Sequence, residues 1–224
     1  KTDHFDLRME LEFDKKIIKG EQKLKMTTQS MFVMEAILDI KDIDVHEVLY
    51  NGEPTTFKIT RTKPEVGQAL RARIPLQLAP SNTFELTVKY TTSPSASALN
   101  WMFANQTRSK TMPYLFSQCE TTHCRSIAPF QDTPAIKSTF NVHILSPKNI
   151  IVRASGNKTQ EFDYDNHRST KFESKVPVPS YLFAIVAGDL AEQKIGTNTY
   201  VITEKSYLSE AASRMSQLEK GLNA

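Results

Sequence analysis

Between positions 5 and 13 the chain alternates without a lapse, with Phe5, Leu7, Met9, Leu11 and Phe13 on one face and Asp6, Arg8, Glu10 and Glu12 on the other. A period of two is that of a strand with one dry and one wet face. Asp14, Lys15 and Lys16 read as a turn, and residues 20–28 return with Leu24 and Met26 inward, so a hairpin is predicted at the start. Further strands are predicted over 32–40 and 45–50. Asn51-Gly52 then marks a hairpin, because both residues tolerate positive φ, with 55–60 as the return strand. Residues 69–74 and 84–91 read as strands joined by a proline-bearing connection at 75–80. Residues 92–112, rich in Ser, Pro, Ala and Asn around the lone Trp101, read as a long ordered loop. Strands are predicted again at 138–145, 149–154, 170–176, 181–186 and 199–203, with a polar loop at 163–168. This spacing, with turn signals between short strands, implies an all-β fold of sheets packed on one another and not a βαβ arrangement.

The period changes near position 205. Leu208, Ala211, Ala212, Met215, Leu218 and Leu222 recur at helical spacing, with Glu210, Arg214, Gln217 and Lys220 opposite, which predicts one C-terminal amphipathic α-helix over 206–222 with Gly221 as its stop. The chain therefore divides into a β domain, 1–205, and a helical tail, 206–224. A helix this short is marginal in water unless its apolar stripe is covered. Without a partner domain it is expected to fray, to fold back onto the sheets, or to bury the stripe against a second copy of the chain, giving a homodimer.

Composition narrows the functional classes. With 39% hydrophobic and 24% charged residues the balance is that of a globular protein. The 28 basic residues against 25 acidic ones are scattered and form no stripe, so a nucleic-acid partner has no support. Apolar runs are too short to cross a bilayer and the first residues, KTDHFD, lack the apolar core of a signal peptide, so no membrane partner and a cytoplasmic location are expected. Cys119 and Cys124 are the two cysteines. On an extended segment they would sit far apart and on opposite faces, so reduced thiols are expected. The sequons at Asn105 and Asn157 are read as unused, since so short a pattern arises by chance.

The candidate chemistry lies in residues 114–137, YLFSQCETTHCRSIAPFQDTPAIK. If the strand begun at Tyr114 runs on through Glu120, Gln118 and Glu120 share a face, and an amide beside a carboxylate suits a cationic, hydrogen-bonding group such as an ammonium. The competing reading is a solvated strand end. Cys119, His123 and Cys124 make a poor metal set, because adjacent side chains diverge in an extended chain and a fourth ligand is not apparent. Either cysteine as a nucleophile would need a poised base that sequence does not supply. Arg125 with Asp132 reads as a partly buried pair fixing the loop, although a charge cluster with Lys137 fits the spacing equally. His46-Glu47-Val48-Leu49-Tyr50 approaches the H-E-x-x-H zinc motif but lacks its second histidine and alternates like a strand.

Gln118-x-Glu120, Cys124-Arg125, Pro129, Asp132-x-Pro134 and Lys137, taken together, resemble the signature in the N-terminal domain of zinc aminopeptidases of the leukotriene hydrolase and aminopeptidase B group. Residues 97–101, SALNW, residues 113–119 and residues 175–182, KVPVPSYL, resemble the same group in the same order. The resemblance implies saddle-like packed β-sheets, binding of a peptide's free amino terminus by Glu120, a pocket wall at Gln118, and a scaffold role for Arg125, Asp132 and Lys137. Leukotriene hydrolases usually carry Gln at the Glu120 position, which favours a peptide amine over a lipid epoxide. H-E-x-x-H and G-x-M-E-N are both absent. The resemblance makes residues 206–224 the first helix of a catalytic domain whose remainder, with the zinc and the general base, is expected outside this chain, so that no cofactor in the chain and no activity from the chain alone are expected. The alternative is a stand-alone, non-catalytic β binding module derived from the same family.

Overall fold

The computed structural model describes residues 1–61 and 65–222, the side chains of residues 76, 77 and 222 excepted. Along the chain run β1 (Thr2–Glu12), β2 (Ile17–Thr27), β3 (Val33–Ile40), β4 (Ile43–Tyr50), β5 (Glu53–Pro54), β6 (Phe57–Arg61), β7 (Gln68–Leu78), β8 (Thr83–Thr92), β9 (Leu99–Met102) and β10 (Tyr114–Ser117). There follow β11 (Lys137–Pro147), β12 (Ile151–Ala154), β13 (Asn157–Tyr164), β14 (His167–Pro179), β15 (Ile185–Gly188), β16 (Leu190–Lys194) and β17 (Tyr200–Glu204). The helices α1 (Leu208–Arg214) and α2 (Leu218–Leu222) come last.

Eight strands form the large sheet, in the order β13-β14-β11-β1-β2-β8-β4-β5, antiparallel throughout except where β1 meets β11. A four-stranded sheet, β12-β15-β10-β9, a three-stranded sheet, β3-β7-β6, and the β16–β17 ribbon complete the fold. The alternation read in β1 holds: Phe5, Leu7, Met9 and Leu11 are buried while Asp6 and Arg8 face solvent. Those residues, Leu24, Leu86 and Val88 from the same sheet, Leu38 and Leu70 from the three-stranded sheet, and Leu115, Val152 and Ala187 from the four-stranded sheet belong to one continuous core. Full burial of one such side chain is worth about 1.5–3 kcal/mol. Phe5 seals it on the loop side, its ring 5.2 Å from Phe130 and 5.3 Å from Phe140. Gly20 is needed where it stands, because the Tyr90 ring fills the space its side chain would take.

Several elements differ from expectation for identifiable reasons. Asn51 and Gly52 do turn a hairpin at positive φ, but its return strand is only β5. Residues 57–61 cross to the second sheet and pair with β7 instead. β7 continues through Pro75 because that proline falls at the register shift opposite Val33 and Glu35, past the last β6 partner, where a ladder bond is not required of it. β13 was hidden by its polarity: as the sheet's edge it is wet on both faces and carries no alternation. Within the expected long loop, β9 forms, and Trp101 packs edge-on against Phe13 at 5.2 Å.

The tail is corrected from one helix to two. α1 buries Ala211 and Ala212 against β17 and β16, then the helix ends at Arg214. α2 is tied to the β16–β17 loop, where the Glu219 carboxylate accepts from the amides of Thr197 (2.6 Å) and Asn198 (3.0 Å). Met215 and Leu218, of the predicted stripe, remain 50% and 47% exposed.

Candidate functional site

β10 stops at Ser117, whose hydroxyl accepts from the Ile185 amide at 2.9 Å. Gln118 is held by one main-chain bond, its amide donating to the Ala98 carbonyl at 2.8 Å. Beyond it the chain leaves the sheet and turns, with the His123 amide donating to the Cys119 carbonyl at 2.8 Å, and closes into a 3-10 turn at Cys124–Ser126. The segment is not extended past Ser117, and two expectations fall with that. Gln118 and Glu120 do not share a strand face. The turn also brings the Cα atoms of Cys119 and Cys124 to 4.6 Å, within bonding range, and the two form a disulfide. The expectation of a reducing compartment rested on free thiols, and the disulfide removes that ground.

Gln118 and Glu120 are both exposed on this turn, and the Glu120–Thr121 peptide is cis. Neither side chain has a hydrogen-bond or ion-pair partner among the described residues. The turn beneath them is held in detail. His123 Nδ1 lies 2.9 Å from Ser97 Oγ, and Ser126 Oγ donates to the His123 carbonyl (2.8 Å) while accepting from the Ala98 amide (2.9 Å).

Behind the turn lies a charge pair removed from water. Arg125 and Asp132 are only 6% and 4% exposed, and Arg125 Nε donates to Asp132 Oδ2 at 2.9 Å. Both terminal nitrogens of the guanidinium also donate, Nη2 to the Asp132 carbonyl at 3.1 Å and Nη1 to the Val66 carbonyl at 2.7 Å. Asp132 Oδ1 accepts from Ser180 Oγ at 2.6 Å. A buried pair is tolerable when its remaining lone pairs and protons are satisfied in this way. Asp39 on β3 extends the network, its carboxylate accepting from the Asp132 amide at 3.0 Å while its main chain bridges Phe130. The site turn is thereby fixed to the edge of the three-stranded sheet. Lys137 does not join the network. It opens β11 opposite Pro179, exposed, with no ion pair among the described residues.

Sequence reasoning did not reach Asp39, Val66 or Ser180, which come to the pair from 93, 59 and 48 residues away. Local spacing carries no signal for such partners, although Ser180 falls in one of the runs that carry the family resemblance. His46 lies on β4, its Nε2 2.8 Å from Thr91 Oγ1, and is remote from any helix. Among the described residues no group of three or more His, Cys, Asp or Glu is placed to hold a metal ion, and the two sulfurs are bonded to each other. The residues present do not fit a zinc site.

Residues 1–182 match the peptidase M1 N-terminal domain family. Leukotriene A-4 hydrolase of Xenopus laevis is 34% identical over 223 residues, covering 98% of this chain and 36% of that protein. Leucine aminopeptidase 2 of Aspergillus fumigatus is 32% identical over 229 residues, covering 99% and 37%. The structure of native yeast LTA4 hydrolase superposes with a TM-score of 0.87 at 33% identity, over 98% of this chain and 34% of that one. An M1 zinc metallopeptidase from Deinococcus radiodurans shares the fold, with a TM-score of 0.73 at 22% identity over 92% and 48% of the two chains. The chain thus spans little more than a third of the length of these two curated relatives, at 36% and 37%.

Proposed function

Because the chain belongs to the peptidase M1 N-terminal domain family, we propose that it walls one side of the substrate cleft in a zinc aminopeptidase and receives the free amino terminus of a peptide at Glu120 and Gln118. The observation that carries this reading is the pairing of unpartnered side chains with a fixed backbone. A carboxylate and an amide stand exposed on a turn tied by a disulfide, by Ser126 and by the buried Arg125–Asp132 pair. An ammonium offers one positive charge and three donors, and this arrangement supplies the complementary charge and acceptors without further ordering.

The roles of these residues are binding and register. With the α-ammonium held at Glu120, only the first peptide bond of the substrate extends to the reacting centre, which makes the enzyme an exopeptidase. The zinc of such a peptidase supplies Lewis-acid chemistry, and its ligands would come from the part of the protein outside this chain, since no described residues here fit it. Glu120 in place of the glutamine usual in leukotriene hydrolases favours a charged amine as the group recognised.

The test uses the protein in which this domain is joined to its peptidase domain. Glu120→Gln keeps size and hydrogen bonding and removes charge. By analogy with charge pairs stripped of one partner, kcat/KM on substrates with a free amino terminus should fall by roughly a hundredfold or more. The denaturant midpoint should not move, because the Glu120 side chain is exposed and has no hydrogen-bond or ion-pair partner among the described residues. An unchanged kcat/KM, or loss of the fold, takes Glu120 out of the site.

A further inference from the structure

The outer face of the large sheet carries a row of charges that is balanced at one end and open at the other. Strand register places Lys171 opposite His143, His143 opposite Arg8, Arg8 opposite Glu21, Glu21 opposite Lys89 and Lys89 opposite Glu47. At the β4 end, Lys89 and Glu47 pair at 2.7 Å and the signs alternate. At the β14 end, three successive positions across three neighbouring strands are Lys171, His143 and Arg8, spanning about 10 Å at the usual strand spacing. Arg8 and Lys171 have no carboxylate within ion-pair distance among the described residues, and neither does Lys23, one row away on β2. Arg8 and Lys171 flank the His143 ring from the strands on either side, so two cations direct positive potential at the imidazole between them.

A cleft of about 190 Å³ opens over this end of the row, its lining including Asp6, Arg8, Glu21, Lys23, Asn141, His143 and Lys171. Of the two carboxylates, Asp6 is already engaged, accepting from Asn141 Nδ2 at 2.8 Å. His143 is fixed by Ser169, whose hydroxyl lies 2.8 Å from Nε2, which leaves Nδ1 as the ring's unbonded nitrogen. The bulge in β13 beside the cleft is tied down by Thr159 Oγ1, which donates to the Lys171 carbonyl at 3.3 Å.

We propose that this cleft is an anion site for a phosphoryl group, with Arg8 and Lys171 as the principal charges, Lys23 at the rim and His143 as a donor that takes up a proton when the anion arrives. The volume suits a single tetrahedral oxyanion and not a drug-sized ligand. Guanidinium and ammonium groups are the usual phosphate partners, the first as a two-pronged donor and the second as a point charge. Burial, then Lys171 and Arg8, hold the imidazole below its ordinary value in the empty cleft. A dianion between those two cations reverses their effect on the ring. The charged groups facing it are Arg8 and Asp6 from β1, Glu21 and Lys23 from β2, and Lys171 from β14, so the bound anion would tip a nearly balanced set toward the protonated imidazole.

The site is independent of the peptide-amine turn, and its test needs no peptidase activity. The imidazole resonances of the chain are followed by NMR while inorganic phosphate replaces chloride at constant ionic strength. A saturable upward displacement of the His143 titration, with His46, His123 and His167 unmoved, is the expected result. Arg8→Gln and Lys171→Gln should each weaken the apparent affinity by about tenfold, the loss expected for one hydrogen bond to a charged group. Lys25→Gln, an exposed lysine of the same face outside the cleft, should leave it unchanged. Sedimentation with phosphatidylcholine vesicles, with and without phosphatidic acid, separates the sources. Phosphate binding without sedimentation assigns a soluble phosphorylated ligand, whereas sedimentation that requires phosphatidic acid and is lost in Arg8→Gln assigns a lipid headgroup. If chloride and phosphate move His143 equally, or if the displacement survives in both variants, the effect is screening and the proposal is overturned.

Discussion

Ser180 Oγ donates to Asp132 Oδ1 at 2.6 Å, and through that bond the chain between β14 and β15 holds a carboxylate whose other oxygen holds Arg125. Two segments 48 residues apart meet at one buried ion pair. Removing the acid alone leaves the buried guanidinium with the partly exposed Asp39 carboxylate, 3.8 Å from Nη1, as its one remaining counter-charge among the described residues. Asp132→Ala should therefore lower unfolding stability by about 3 kcal/mol, and Ser180→Ala, which removes one hydrogen bond to a charged group, by about 1.5–3 kcal/mol. Urea titration followed by tryptophan fluorescence measures both. An Asp132→Ala variant with unchanged midpoint would mean that water reaches the pair.

The disulfide closes a short loop around Glu120. In the chain-entropy account, a ring of five or six residues restricts the unfolded chain enough to contribute about 2 kcal/mol. Replacing both cysteines with alanine should lower stability by about that amount, and the amides of residues 119–124 should exchange faster while those of β1 and β11 do not. Equal exchange in the two proteins would show that the Ser126 and His123 bonds hold the turn without the sulfur bridge.

His143 gives stability a pH dependence of definite sign. Its folded-state pKa lies below the ordinary imidazole value, chiefly through burial and then through Lys171 and Arg8. The unfolded chain therefore binds more protons wherever the two states differ. The contribution is complete above the unfolded value of about 6.5 and is lost as pH falls through the folded one. Urea midpoints measured at about pH 7.5 and about pH 5 should lie closer together in His143→Gln than in the parent. An identical interval in the two proteins would mean that the ring is more solvated than its position between Lys171 and Arg8 implies.

For the tail, amide exchange should be slow in α1, whose Ala211 and Ala212 are covered, and fast in α2, which Glu219 alone ties to the β16–β17 loop. Glu219→Ala should speed exchange in residues 196–198 and 218–222 and leave 208–214 as they were. Protection of α2 that grows with protein concentration would instead identify a second copy over Met215 and Leu218.

What the sequence made legible follows from how local the cause was. β1 could be read because its partition into dry and wet faces is written every second residue, and the Asn51-Gly52 turn because its backbone demand falls on those two residues. β13 could not, because an edge strand wet on both faces leaves no pattern. The tie that holds α2 was invisible because it is a bond between Glu219 and a loop some twenty residues earlier. At the site, Gln118 and Glu120 were picked out for their chemistry and are exposed together, but the turn that carries them and joins Cys119 to Cys124 depends on Ala98, Ser97 and Ser126. Periodicity assumed a strand would continue where tertiary bonds ended it.

The parallel contact between β1 and β11 sets the order in which the chain can fold. Phe5 pairs with Phe140, and His4 with Thr139, 135 residues later. During synthesis at roughly 5–20 residues per second, one side of β1 therefore waits for roughly 7–27 s after it emerges, with its hydrogen-bonding edge open. A strand with an apolar face and an open edge is a template for pairing with a neighbouring chain. Its long-range closure also places the large sheet among slow-folding topologies. Chains arrested before β11 is complete should accumulate as aggregates, while those arrested after Pro147 have the partner that closes the edge.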